Sequence, residues 1–291
     1  MTRGQLLDLG VNVLGAKDTS YLSAEVLLCY VLGETKEYLF AHASDEVGDE
    51  NLEKLYIQYL DRVKKGEPIA YITGEKEFYG LDFLVNKHVL VPRPETEMLV
   101  EKALSFMRDN FEKHGKYRVL DVGTGSGNIA ISIAKNSAHL DGSEMIEYVD
   151  AIDISDEALE VANENVLQHG LEDKVKVFNS NLLEDIDEDE HYHIVVANLP
   201  YIGEVTNNLV DKNVKDFEPN SALFAGDDGL KLYKKLFQQI VEREMNWKML
   251  IGEFGFGQRE DLEKLLNKYF EQKWSIEKDL AGIDRMFVVF N

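Results

Sequence analysis

Apolar positions along this chain of 291 residues change their period as the sequence is followed from Met1. Up to about residue 62 they recur at helical spacing. Val26, Leu27, Tyr30 and Val31 form one stripe that ends at Gly33, with Thr19, Ser20 or Ser23 placed to cap it. Leu52, Leu55, Tyr59 and Val63 form a second, broken by Gly66, Glu67 and Pro68. Between 71 and 91 the segments shorten and alternate, with Gly74 and Gly80 punctuating Phe78, Tyr79, Phe83, Val85 and Val89, which predicts a hairpin-like connector. After about residue 95 strand and helix signals alternate. Strands are expected at 118–122, 148–154, 175–179, 193–197, 249–254, 274–278 and 286–290. Helices are expected at 227–244, where Leu230, Tyr233, Phe237 and Ile240 share a face, and at 258–269, with Leu262, Leu265, Leu266 and Tyr269. Such alternation predicts an α/β fold with a doubly wound sheet. The last two strands lack a helix between them, so an antiparallel hairpin at the sheet edge is expected. The division that results is a helical domain at 1–70, a β-hairpin connector at 71–94 and an α/β domain at 95–291.

Composition narrows the class. Hydrophobic residues make up 44% and charged residues 29%, with five prolines, as in a globular and not a disordered chain. No apolar run reaches the ~20 residues needed to cross a bilayer, and the first residues lack a charged-then-apolar leader pattern, so a cytoplasmic protein without membrane contact is expected. Cys29 is the only cysteine, which excludes a disulfide framework or a cysteine-based zinc site within one chain. The formal charge of -23 repels phosphate backbones and argues against a nucleic-acid partner.

Chemistry concentrates at two strand ends. The run Arg118-Val-Leu-Asp-Val-Gly-Thr-Gly-Ser-Gly-Asn128 leads from a buried strand straight into a helix with Ile129, Ala130, Ile133 and Ala134 on its inner face. Gly123, Gly125 and Gly127 remove the side chains that would keep a ligand off the backbone, and Thr124 and Ser126 lie between them. The dinucleotide fingerprint places a third glycine where this chain has Asn128, so a dinucleotide is disfavoured. Asp153 ends the next strand beside that turn, where a carboxylate can accept both hydroxyls of a ribose; it can equally serve the start of the helix opened by Ser155, Asp156 and Glu157. Asn181 and Leu182, after the third strand, fall where an adenine would lie.

The fourth strand delivers Asn198, Leu199, Pro200 and Tyr201 to the same edge. The Asn198 side-chain oxygen and the Leu199 carbonyl can each accept one hydrogen of a planar NH2 group, with Tyr201 against its flat face. Methyl transfer from a sulfonium needs mainly alignment, and these residues are the candidates to supply it. A Pro turn with a capping Asn explains the same residues without chemistry, but not their coincidence with the glycine turn.

The chain resembles the HemK/PrmC family of glutamine N5-methyltransferases. The resemblance spans nearly its whole length, through Gly66-Glu-Pro-Ile-Ala-Tyr-Ile-Thr-Gly74, Val91-Pro-Arg-Pro-Glu-Thr-Glu97, Leu120-Asp-Val-Gly-Thr-Gly-Ser-Gly127, Ala197-Asn-Leu-Pro-Tyr-Ile202 and Phe217-Glu-Pro219. It implies a Rossmann-like seven-stranded methyltransferase sheet with S-adenosylmethionine as cofactor, held by Gly123, Thr124, Gly125, Ser126, Gly127, Asp153, Leu182 and Asn198. It implies a release factor as protein partner, docked by the N-terminal helical domain, whose Gly-Gly-Gln glutamine amide is gripped by residues 198–201. Arg93 and Glu97 could close over the site or simply be paired near the domain junction, and the resemblance, not their spacing, favours the first. The family's usual Asn-Pro-Pro-Tyr is here Asn-Leu-Pro-Tyr, so a backbone N–H replaces a proline ring at Leu199.

Other features read as scaffold. His191 and His193 flank Tyr192 without partners at metal-binding spacing, and no metal is expected. The acidic run at 184–190 reads as a solvated loop. Asn-Leu-Pro-Tyr also fits ribosomal RNA adenine methylation, and glutamine methylation of a large-subunit ribosomal protein is the nearer alternative. A non-catalytic cofactor-binding role is the third. The protein is expected to be a monomer.

Overall fold

In the computed structural model, all residues except 16–18, 140, 204–211 and 272 are described. The elements run, in order, α1 (Arg3–Leu14), α2 (Ser20–Leu32), α3 (Lys36–Ala41), α4 (Glu50–Lys64), α5 (Ile69–Thr73), β1 (Glu75–Phe78), β2 (Leu81–Leu84), a single 3-10 turn (Pro94–Thr96), α6 (Glu97–His114), β3 (Tyr117–Val122), α7 (Asn128–Lys135), β4 (Ile146–Asp153), α8 (Asp156–His169), β5 (Val175–Asn179), β6 (Ile194–Ala197), α9 (Lys212–Phe217), α10 (Asn220–Leu223), α11 (Lys231–Glu242), β7 (Met249–Glu253), α12 (Arg259–Phe270), β8 (Trp274–Lys278) and β9 (Asp284–Phe290). The chain forms two compact units, Met1–Glu75 with Asp211–Phe217, and Lys76–Val210 with Glu218–Asn291.

The first unit is helical. Its core joins Leu6, Ala24, Leu27, Leu28, Leu39, Tyr56 and Leu60, and the Tyr56 hydroxyl donates to the Ala24 carbonyl at 3.1 Å. Gly33, at φ +65°, ends α2 in the left-handed region that glycine enters without cost. Of the α2 stripe, Leu27 and Val31 are buried while Val26 and Tyr30 are exposed, so only half of it faces the core.

The second unit carries the sheet, in the order β5-β4-β3-β6-β7-β9-β8, with β9 antiparallel to both neighbours. The expected α/β fold and its antiparallel edge are both present. Strands β6 and β7 are buried at every position, as the middle of a parallel sheet covered on both faces requires. Alternation along β3 sends Tyr117 and Val119 into one core with Leu99, Met107, Ile129 and Ile133, and Leu120 and Val122 into the other with Phe237, Leu262 and Leu266. Helices α6 to α8 therefore cover one face, and α11 and α12 the other.

Two local expectations shift. Residues 71–73 are helical within α5, and the extended chain begins only after Gly74, at φ +79°. The helix expected from 227 starts at Lys231, because Gly226 and Gly229 have φ +76° and +74° and the Asp228 carboxylate accepts the Leu230 N–H.

The topology fixes where a ligand can bind. The chain moves outward from β3 to β4 and β5, then crosses back to β6 on the other side of β3. Beyond the carboxyl ends of β3 and β6 the connections diverge, which is where open α/β sheets leave a crevice.

Candidate active site

The glycine turn and the Asn198 turn face each other across that switch point. Val122 pairs with Ala197 in the parallel register of β3 and β6, so Gly123 and Asn198 leave adjacent strands at the same level. A Cβ on Gly123 would lie 3.0 Å from Leu199 Cδ2 and 3.9 Å from the Asn198 carbonyl oxygen. With φ at +77° as well, that position favours glycine. Gly125, at φ +56°, has open space where its side chain would be, which leaves backbone exposed to a ligand.

A single cavity is lined by Gly123, Thr124, Gly125, Ser126, Asp153, Asn181, Leu182, Asn198, Leu199, Pro200 and Arg93, together with Thr96 and His88. It thus joins most residues singled out from the sequence. Gly127, Glu97 and Tyr201 are not among its lining residues. Gly127 starts α7 at φ +79°, its Cα facing Ala162. The Glu97 carboxylate accepts the Tyr79 N–H at 2.9 Å, and Arg93 pairs with Glu218 instead. Glu218 also accepts the Val91 N–H at 3.2 Å, so the blocks at 91–97 and 217–219 are joined by one buried carboxylate.

On the glycine side the polar groups are backbone N–H donors and acids. Asp153 accepts the Gly125 N–H and the Ser155 N–H, each at 3.0 Å. Burial raises its pKa, opposed by those two bonds. Helix α8 is capped separately by Ser155, whose hydroxyl accepts the Ala158 N–H. Below the turn, Asp121 Oδ2 accepts the Thr124 hydroxyl at 2.7 Å and the Ala130 N–H at 3.2 Å, while its Oδ1 is buried without a partner among the described residues. Burial pushes this carboxyl up to about 7. Leu182 is held at φ +57°, a left-handed conformation that costs a branched side chain on the order of 1–3 kcal/mol. The Ser180 hydroxyl, bonded to the Leu182 carbonyl at 2.6 Å, helps to hold it there.

The Asn198 side is pinned by side chains from remote parts of the chain. Asn198 Nδ2 donates to Thr96 Oγ1 at 3.1 Å, and Thr96 donates to Glu253 Oε2 at 2.6 Å. Tyr201 donates to the other Glu253 oxygen at 3.0 Å. Burial raises the Glu253 pKa, and raises that of the Tyr201 phenol beside it. Gln258 donates to the carbonyls of Tyr201 and Asp228, at 2.7 and 2.9 Å, and accepts the Gly255 N–H. The buried Tyr233 hydroxyl lies 3.0 Å from the Ala197 carbonyl and 2.5 Å from that of Glu253, bridging β6 and β7. Sequence reasoning missed Glu253, Gln258 and Tyr233 as site supports. The one available signal was an acid in the otherwise apolar strand run at 249–254.

Elsewhere, His193 Nδ1 accepts the Arg118 N–H and His191 Nδ1 lies 3.2 Å from the Arg118 guanidinium. Both sit at the opposite edge of the sheet from the cavity. Among the described residues no group of three or more His, Cys, Asp or Glu could hold a metal ion, and no helix is long and apolar enough to cross a membrane.

Comparison with known proteins shows the family. Residues 5–74 match the family model of the PrmC N-terminal domain, and residues 97–224 match that of the methyltransferase small domain. A release factor glutamine methyltransferase of Koribacter versatilis (strain Ellin345) is 37% identical over 290 residues, covering 99% of this chain and 98% of its own. The chain belongs to the release factor glutamine methyltransferase family. That of Bacillus subtilis (strain 168) is 36% identical over 265 residues, or 90% of this chain and 88% of its own. As a member of this family the chain is a methyltransferase that uses S-adenosylmethionine. The fold alone is shared with solved structures of lower identity. The catalytic domain of hMettl16 in complex with a MAT2A 3'UTR hairpin has a TM-score of 0.54 at 16% identity, covering 83% of this chain and 82% of its own. The N-terminal domain of human METTL16 in complex with SAH has a TM-score of 0.52 at 17% identity, covering 73% and 76%.

The cavity suits the methyl donor. Open backbone at Gly125 leaves room for a ligand against the turn, and Asp153 adds an acceptor on the cavity wall.

Proposed function

We propose that this protein methylates the side-chain amide nitrogen of the glutamine in the Gly-Gly-Gln motif of a peptide chain release factor. The observation that carries the reading is the state of Asn198. It lines the cavity one residue beyond the β3–β6 register pair, its NH2 is committed to Thr96, and among the described residues its Oδ1 has no hydrogen-bond partner. A free amide oxygen beside the glycine turn is an acceptor for a flat NH2 group. The relatives, release factor glutamine methyltransferases, point to the same substrate.

When bound, S-adenosylmethionine supplies an electrophilic methyl group on a sulfonium. In this reading Gly123, Thr124, Gly125, Ser126 and Gly127 hold it along the turn, Asp153 accepts its ribose hydroxyls, and Asn181 and Leu182 flank its adenine. Amide nitrogen is a poor nucleophile because its lone pair is delocalised. Asn198 Oδ1 and the Leu199 carbonyl each accept one of its hydrogens, which fixes the nitrogen and draws electron density towards it. Orientation of this kind contributes as much as ~7–11 kcal/mol in well-aligned reactions. Pro200 stiffens the turn, and Tyr201, outside the cavity lining, anchors it on Glu253. Arg93 holds the 91–93 segment on Glu218 along the cavity rim. The helical unit docks the release factor, and the protein acts as a monomer in the cytoplasm.

The test is transfer of labelled methyl, with release factor, large-subunit ribosomal protein and ribosomal RNA offered separately. Label in the release factor supports the reading, and label confined to ribosomal protein or RNA overturns it.

A further inference from the structure

The amide of asparagine has two ends of similar shape and opposite character. Only the orientation that turns oxygen to the cavity can grip an NH2 group; the flipped one would offer it N–H against N–H. Something must therefore select between the two.

The selection can be traced through hydrogen-bond polarity. The Thr96 hydroxyl donates its single hydrogen to Glu253 Oε2, 2.6 Å away. What Thr96 Oγ1 has left is a lone pair. The group 3.1 Å away on Asn198 must then be the NH2 end, and the oxygen end is left for the cavity. Thr96 and Glu253 are each only 2% exposed, so water does not offer the hydroxyl another partner. The second Glu253 oxygen takes the Tyr201 hydroxyl at 3.0 Å, which ties both ends of the 198–201 turn to one carboxylate.

We propose that Glu253, acting through Thr96, is the positioning residue that sets the amide of Asn198 with its oxygen towards the acceptor, and so makes the slot specific for a planar NH2 group. This rests on Asn198 being the group that grips the acceptor. Neither Glu253 nor Thr96 needs to touch the reacting atoms. Glu253 lies at the end of β7 and Thr96 in the 3-10 turn before α6, 157 residues away in sequence.

Two substitutions separate this from a merely structural role. Thr96→Val keeps the shape but removes the hydroxyl, so neither amide orientation is favoured. Glu253→Gln keeps the size but offers an N–H to Thr96, whose hydrogen is then free to bond Asn198 Oδ1. Each is expected to lower turnover at saturating donor roughly 100-fold, the scale of a misplaced positioning group, with the Kd for S-adenosylmethionine unchanged within about twofold. Thr96→Ser should recover most of the loss. A readout independent of any acceptor is hydrogen exchange of the Asn198 side-chain NH2 by NMR, assigned with Asn198→Asp. Its exchange should be slow in the wild type and fast in Thr96→Val. Wild-type turnover in Thr96→Val, or equal exchange in the two proteins, would overturn the proposal. If the wild type transfers no methyl to a release factor, the substrate reading fails by itself, and the exchange rates still decide the orientation of Asn198.

Discussion

The two halves of the cavity are built by different means. The glycine half is local: one strand, one turn and one helix start, with the Asp153 carboxylate, which accepts the Gly125 N–H, on the cavity wall. The Asn198 half is assembled from a distance, its turn held by Thr96, Tyr233, Glu253 and Gln258 from four other segments. The first binds through absence of side chains, the second through enforced orientation of a few. A defect in one half should therefore change affinity for the methyl donor, and a defect in the other should change transfer.

The largest expected effect breaks the acceptor half. Asn198→Ala should cut single-turnover methyl transfer by ~100-fold or more while leaving donor affinity within about twofold, as loss of a group used only for alignment does. Equal losses in affinity and rate would erase the distinction between the halves. The complementary substitution, Asp153→Ala, should weaken donor binding by about 1.5–3 kcal/mol, the worth of hydrogen bonds to a charged group, with little change in rate once the donor is saturating. Calorimetry reads this directly.

A smaller effect concerns Asp121, under the glycine turn. Its ordinary pKa is about 3.9 in the unfolded chain, whereas burial pushes it up to about 7 in the folded protein. Between those values the folded state holds a proton that the unfolded state has lost, so this group's contribution to stability falls as pH rises through the window. Asp121→Asn cannot ionise. Its stability relative to wild type should therefore rise by on the order of 2 kcal/mol from about pH 5 to about pH 8, measured by denaturant unfolding. A difference that stays constant with pH would show that the carboxyl titrates normally. The smallest effect belongs to Tyr233→Phe, which removes the hydroxyl bridging β6 and β7. It should cost about 1 kcal/mol or somewhat more, with donor affinity unaffected.

This contrast also explains what could be read from the sequence. Strands β5 and β8 match their expected bounds, and β3, β4, β6, β7 and β9 lie within a few residues of theirs, because strands bounded by turns are stated locally in the sequence. The glycine turn was legible for the same reason: three glycines in five residues mark a tight strand-to-helix turn locally, and Gly123, Gly125 and Gly127 all take positive φ. Asn198 was visible at a strand end, but its support was not. Glu253 is 55 residues from Asn198, and nothing in a linear pattern says that a hydroxyl at Thr96 will join them. Tyr201 shows the same limit. As a side chain after a strand it reads as a wall of the slot, yet its hydroxyl is turned to Glu253 and it is not among the cavity-lining residues. The exposed Val26 and Tyr30 of α2 belong here too, since helical period marks apolar positions without saying which of two adjacent faces packs.

The central claim is that the acceptor is one flat side-chain amide. It is tested most directly by comparing single-turnover transfer to a release factor carrying its Gly-Gly-Gln glutamine with transfer to the same factor carrying glutamate there, at saturating donor. The account expects full transfer to the first and none to the second, because glutamate has no NH2 for Asn198 and Leu199 to hold. Equal transfer to both would contradict it.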